Sequence, residues 1–212
     1  DLHEYSDEET LDFLRSNRDY DIVGFGNIVS GYKFTKKISY MVRESMPNTL
    51  IIVGNTVASS IPELLLTRVP EIDIAAIGEG DRTIVELAMA VERCDDWRNV
   101  PGIAYRNGGQ ICFTSKREPI RNMSDISFPD YSLFDIEKYL LLSPKTISEP
   151  IPPIPLDKIR ALPVNTARGC LFNCTFCAHA FKGYKYRYYP FDMVVKYIKE
   201  LQENYGINYV HF

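Results

Sequence analysis

Between residues 8 and 94 the spacing of apolar side chains changes repeatedly from strand-like to helix-like, and this alternation restricts the fold more than any other property of the chain. Residues 8–16 predict a short helix with Leu11 and Leu14 inward, 21–25 a buried strand, and 33–46 a helix with Ile38, Met41 and Val42 on one side. The unit then repeats, with a strand at 49–53, a helix at 61–68, a strand at 72–77 and a helix at 83–94 carrying Ile84, Leu87 and Val91 on its inner face. Strands separated by helices are joined by crossovers, which make neighbouring strands parallel and cover both faces of the sheet. The expected class is α/β.

Ligands of such sheets bind beyond the carboxyl ends of the strands. All three loops there are rich in small residues: G-F-G-N-I-V-S-G, V-G-N-T-V-A-S-S and I-G-E-G-D-R-T. Glycine permits positive backbone angles and close approach of a ligand, while hydroxyl and amide side chains add hydrogen-bonding groups. The candidate ligand contacts are Gly26, Ser30, Gly54, Asn55, Thr56, Gly78, Glu79 and Gly80, and a large polar cofactor suits them. A nicotinamide or flavin does not, because a dinucleotide fingerprint starting at Gly24 and Gly26 requires glycine at position 29, where Val29 stands.

Three cysteines, Cys170, Cys174 and Cys177, lie in the run T-A-R-G-C-L-F-N-C-T-F-C. The spacing C-x3-C-x2-C places three thiolates on one loop, able to hold three irons of a 4Fe-4S cluster and leave the fourth iron open. The other two of the five cysteines, Cys94 and Cys112, are isolated in sequence and read as ordinary buried thiols. A structural zinc site with His179 as fourth ligand is the alternative, although only one residue separates it from Cys177 and no second ligand pair follows. Disulfides are disfavoured by the odd cysteine count and the acidic start D-L-H-E-Y-S-D-E-E, which cannot serve as a signal sequence.

On these residues the chain resembles the radical S-adenosylmethionine (SAM) superfamily. The resemblance includes Phe176 before the last cysteine, the Arg168-Gly169 lead-in, and Gly183, Tyr186-Arg187 and a helix opening at Pro190. It implies that SAM binds the open iron, that Phe176 lies near its adenine through the backbone, and that reductive cleavage yields a 5'-deoxyadenosyl radical. It implies an electron donor such as flavodoxin or ferredoxin and a substrate that the sequence does not identify. A Rossmann-like domain with G-E-G-D-x-T after its last strand, upstream of this motif, resembles the cobalamin-binding domain of cobalamin-dependent radical SAM enzymes. That resemblance implies cobalamin as second cofactor, bound by the three small-residue loops, and methyl transfer or a radical rearrangement. A near match to the cobalt-ligating motif D-x-H-x-x-G at Asp1 to Ser6 is rejected, because a single short helix separates it from the next strand and Ser6 replaces glycine.

The remaining segments give the domain plan. Asn107-Gly108-Gly109 between short strands at 102–105 and 110–114 is a hairpin signal, since the turn needs positive backbone angles. Pro150-Ile151-Pro152-Pro153-Ile154-Pro155 is a stiff extended stretch where the domain boundary is expected. A short helix at 136–141 precedes it; a strand at 162–166 follows it, and then a helix at 191–204 that stops at Gly206. We therefore expect a cobalamin-binding domain at 1–97, a linker with a β-hairpin at 98–160, and at 161–212 the first strand-helix-strand of a (β/α) radical SAM barrel. Both ends read as cut, with the start of the first domain and most of the barrel missing.

Composition excludes other classes. At 45% hydrophobic and 25% charged residues the chain is an ordinary globular one, no apolar run approaches a membrane span, and a cytoplasmic location is expected. A net charge of -4 argues against a general nucleic-acid binder, and the short run K-G-Y-K-Y-R-Y-Y at 182–189 is too brief to carry such binding alone. A tRNA methylthiotransferase would need a further cysteine set. The other two alternatives are a corrinoid-binding module without SAM cleavage and a zinc-stabilised structural protein.

Overall fold

A computed structural model describes residues 5–147, 153–177 and 184–212. His3, the prolines at 150 and 152, His179 and Gly183 lie outside the described residues. The chain forms two compact units, one of residues up to Pro119 with the short segment from Asn173, the other of Ile120–Phe172 and Tyr184–Phe212.

In the first unit, helix α1 (Asp7–Ser16) starts from a capping box in which Ser6 accepts from Glu9 N and Glu9 reaches back to Ser6 N. Strand β1 (Ile22–Gly26), helix α2 (Tyr32–Ser45), strand β2 (Leu50–Gly54), helices α3 (Asn55–Ser60) and α4 (Pro62–Arg68), strand β3 (Ile74–Ala76) and helix α5 (Gly80–Glu92) follow. Strands β1, β2 and β3 are parallel, in register from Ile22 opposite Leu50 to Gly26 opposite Gly54 and with Ile52 opposite Ile74. One face packs Leu14, Met41, Val42, Val53, Leu65 and Leu66 beneath α1 to α4. The other packs Ile52, Ile74, Leu87 and Ile103. This is the α/β arrangement expected from the alternating pattern.

Two local expectations change. Helix α5 turns Thr83, Leu87 and Ala90 inward and leaves Ile84 43% exposed, because its buried stripe runs through positions 83, 87 and 90 at helical spacing. Helix α3 occupies a stretch read as loop. Its small polar residues carry no periodic signal, and Asn55 opens it from a left-handed conformation at φ 72°.

The hairpin joins the first sheet. Strand β4 (Ile103–Asn107) pairs antiparallel with β3, and β5 (Gln110–Phe113) with β4, so the sheet runs β1-β2-β3-β4-β5. Gly108 and Gly109 take the positive φ values, 55° and 88°, that the turn demands. The sequence placed this hairpin in a linker; its pairing to β3 is driven by Ile103 and Ala104, both fully buried. Arg106 donates to the carbonyls of Leu66 and Ile72, and Arg117 pairs with Glu86 on α5, fastening both hairpin flanks.

In the second unit, helix α6 (Ile136–Leu142) precedes β6 (Ala161–Pro163) and β7 (Ala167–Arg168), followed by β8 (Arg187–Tyr188), helix α7 (Phe191–Tyr205) and β9 (Tyr209–His211). Strands β6 and β9 are parallel, with Ala161 opposite Tyr209, so α7 is the crossover of a β-α-β unit. Val194, Tyr197 and Leu201 of α7 pack on Leu140, Leu162 and Val164. Gly206 ends the helix at φ 62°. Phe128 stacks on both Tyr197 and Tyr189, at centroid distances of 4.1 and 4.5 Å. Burial pushes the Tyr197 phenol well above its ordinary value, and its hydroxyl donates to the Pro129 carbonyl at 3.0 Å. No helix among the described residues is long and apolar enough to cross a membrane.

Candidate cofactor-binding site

The parallel register brings the ends of β1 and β2 side by side, Gly26 opposite Gly54, and backbone bonds knit the following loops into one rim. Asn27 N donates to the Gly54 carbonyl at 3.1 Å and Val57 N to the Asn27 carbonyl at 3.2 Å. Asn55, held left-handed, accepts from Thr56 N through its own Oδ1 at 2.7 Å. The third loop is tied in by Gly78 N, which donates to Ser59 Oγ at 3.0 Å. Gly26, Gly54, Asn55, Thr56 and Gly78 thus stand in one connected rim at the carboxyl end of the sheet.

Gly78 needs glycine for its φ of 82°, whereas a side chain at Gly24 or Gly80 would meet nothing within 4 Å. No neighbouring atom requires glycine at those two positions, both of which are exposed; Gly80 borders the third loop. Glu79, at 9% exposure, occupies the N-cap position of α5, which begins at Gly80, without a side-chain capping bond. Ser30 lies in the exposed turn Val29–Gly31, the least connected of the predicted contacts. Three features of the rim escape a reading of the sequence: the buried Asn27, the Ser59 hydroxyl and the exposed apolar pair Ile28 and Val29. Their roles depend on contacts across the fold, as between Ser59 and Gly78, and no local pattern announces them.

The approach to the first cysteine is equally specific within the second unit. β7 pairs with β8, and Tyr189 N donates to the Thr166 carbonyl at 2.9 Å. Between them Gly169 adopts φ 104°, and a Cβ there would come within 3.1 Å of the Lys185 carbonyl and 3.2 Å of Tyr186 Cα. The glycine before Cys170 and the Tyr186-Arg187 pair are therefore two halves of one contact.

All five cysteines are free thiols; Cys170 and Cys174 are exposed and Cys177 half-buried. Cys177 N donates to the Cys174 carbonyl at 3.2 Å, a tight turn between the two. The donor set suits an iron-sulfur cluster, yet among the described residues no three His, Cys, Asp or Glu side chains are gathered closely enough to hold a metal ion. Phe176 is 89% exposed. Cys94, expected to be buried, is instead exposed just after α5 with φ 56°, because the chain reverses there with Asp95 N donating to the Ala90 carbonyl.

Comparison with known proteins bears on the segment that holds the rim. Residues 3–88 match the family model described as the B12 binding domain. An uncharacterized methyltransferase of Pyrococcus horikoshii is 27% identical over 195 residues, 92% of this chain and 39% of that protein. An anaerobic magnesium-protoporphyrin IX monomethyl ester cyclase of Rubrivivax gelatinosus is 30% identical over 162 residues, 74% of this chain and 27% of that protein. Among solved structures, the radical S-adenosylmethionine methyltransferase TsrM from Kitasatospora setae, with cobalamin and a [4Fe-4S] cluster bound, has the same fold. It superposes with a TM-score of 0.65 at 15% identity, over 95% of this chain and 38% of TsrM. The chain spans less than half the length of each of these proteins. Residues 3–88 are thus similar to the B12 binding domain, and most of the chain is similar to parts of longer proteins named as methyltransferases, one of them described as cobalamin-dependent radical SAM.

Proposed function

We propose that this chain carries the cofactor-binding part of a cobalamin-dependent radical SAM methyltransferase. The observation that carries the reading is the rim of three loops, which falls inside the segment matching the B12 binding domain. In this proposal Gly26, Ser30, Gly54, Asn55, Thr56, Gly78, Glu79 and Gly80 hold cobalamin, in a cofactor domain extended through the hairpin to Pro119. Cys170, Cys174 and Cys177 ligate a 4Fe-4S cluster, with SAM on its open iron and the Phe176 backbone beside the adenine. The bound cofactors supply a methyl carrier and a one-electron route to a substrate radical. The chain's own part is to hold them: Gly169 and the β7-β8 pair set the start of the cysteine loop, and the Asn27, Asn55 and Ser59 bonds fix the rim.

The methyltransferase names among the relatives favour methyl transfer. A ring-forming reaction is the second reading, favoured by the cyclase relative at 30% identity. Reduction by flavodoxin or ferredoxin and a cytoplasmic location complete the proposal. The test is anaerobic iron-sulfur reconstitution followed by EPR of the reduced cluster with and without SAM. A 4Fe-4S signal that changes on SAM addition supports the reading. One tightly held zinc and no cluster would instead favour a structural metal site.

A further inference from the structure

Asn27 is fully buried directly after β1, and among the described residues neither its Nδ2 nor its Oδ1 has a hydrogen-bond partner. Its backbone is committed on both sides, to Gly54 and Val57, so the residue is pinned where the first two loops of the rim meet. The side chain is directed beneath the turn Val29–Gly31, since a Cβ on Gly31 would lie 3.9 Å from Oδ1. The next two residues show the opposite imbalance: Ile28 is 50% exposed and Val29 82%. A buried amide lacking both donor and acceptor partners, beside two apolar side chains in water, reverses the distribution that folding favours. Such local cost is kept where function uses it.

We propose that Asn27 is a positioning residue for the cofactor, its carboxamide pairing with a primary carboxamide on the corrin rim while Ile28 and Val29 pack against the ring. This rests on the reading that the rim binds cobalamin. The partner's chemistry follows from what is unsatisfied. Nδ2 needs an acceptor and Oδ1 a donor. A phosphate or a benzimidazole nitrogen answers only the first, whereas a second carboxamide answers both in a cyclic pair, and the corrin ring carries primary carboxamides around its edge. The turn Val29–Gly31 covers the amide, so binding requires it to shift. Among the described residues the turn is held by Gly31 N to the Ile28 carbonyl and Tyr32 N to the Val29 carbonyl, few bonds to oppose such a shift.

The test compares the wild-type chain with Asn27→Leu and Asn27→Ala, using two probes: hydroxocobalamin and cobinamide, which keeps the peripheral carboxamides and lacks the nucleotide. Removing the pair should raise Kd for both probes by about tenfold in each variant. The ligand-free Asn27→Leu protein should melt at the wild-type temperature or above it, because an unpartnered amide has been replaced by an apolar side chain of similar size. Unchanged affinity for both probes would overturn the proposal. So would a loss confined to hydroxocobalamin, which would place the contact on the nucleotide. A drop of more than about 5 °C in the ligand-free Asn27→Leu protein would also overturn it, showing that bound water satisfies the amide and that its role is structural. If the wild-type chain binds neither probe, the cobalamin reading itself fails.

Discussion

The rim of the first unit and the cysteine loop are built on different principles. The rim is assembled by the sheet: three parallel strands deliver their loops together, and backbone bonds from Asn27, Val57 and Gly78 close the gaps between them. The cysteine loop has an ordered approach, through Gly169 and the β7-β8 pair, and its thiols stand exposed or half-buried. The difference teaches that backbone bonds across a parallel sheet order the rim whether or not a ligand is bound, whereas thiols standing in solvent would take their final arrangement from a metal that binds them.

The sharpest way to break this comparison is to remove a thiol. Cys174→Ala should abolish the 4Fe-4S absorbance after reconstitution while cobalamin affinity stays within about twofold, since among the described residues no rim bond involves that residue. Parallel loss of both would show that the two regions form one site. Next in size is Gly169→Ala. The left-handed backbone strains any side chain there, and a methyl group would crowd the Lys185 carbonyl at 3.1 Å. We expect about 2–3 kcal/mol of destabilisation in urea unfolding and a matching fall in iron content. On the rim, Asn55→Ala should cost about 1 kcal/mol because alanine lacks the local bond that holds φ at 72°, while Asn55→Gly stays within about 0.5 kcal/mol. Equal effects of the two substitutions would remove the conformational argument.

The smallest effect belongs to the Arg117 clamp. Its hydrogen bond holds the Glu86 carboxyl below the ordinary value of 4.5. A depressed carboxyl contributes stability that is present above its unfolded value and lost as pH falls through the folded one. Stability should therefore fall as pH drops below about 4.5, and Glu86→Gln should flatten that part of the curve by about 0.5 kcal/mol, the side chain being 41% exposed. A curve unchanged in shape would show that the hairpin flank does not depend on this pair.

Much of this architecture is legible in the sequence, for identifiable reasons. Leu14, Ile38, Met41, Val42 and Leu87 fall where helical spacing puts them, because an amphipathic stripe has one way to face a sheet. The Asn107-Gly108-Gly109 turn is equally plain, but its destination is not: pairing of β4 with β3 depends on an open sheet edge that periodicity cannot report. The same limit hid α3, whose start is set by one left-handed asparagine, and misplaced Ile84, where a shift of one residue separates the buried face of α5 from its exposed flank. At the rim, glycines mark the loops, while Asn27 looks like any loop asparagine until the fold buries it.

The central proposal is that the rim binds cobalamin independently of the cysteine loop. Its most direct measurement is cobalamin stoichiometry, by absorbance after gel filtration, for the wild-type chain and for the variant with Cys170, Cys174 and Cys177 all changed to alanine. The account predicts one cobalamin per chain in both proteins, bound with the same affinity before any iron is added. No cobalamin on the wild-type chain, or its loss when the three thiols are removed, would contradict it.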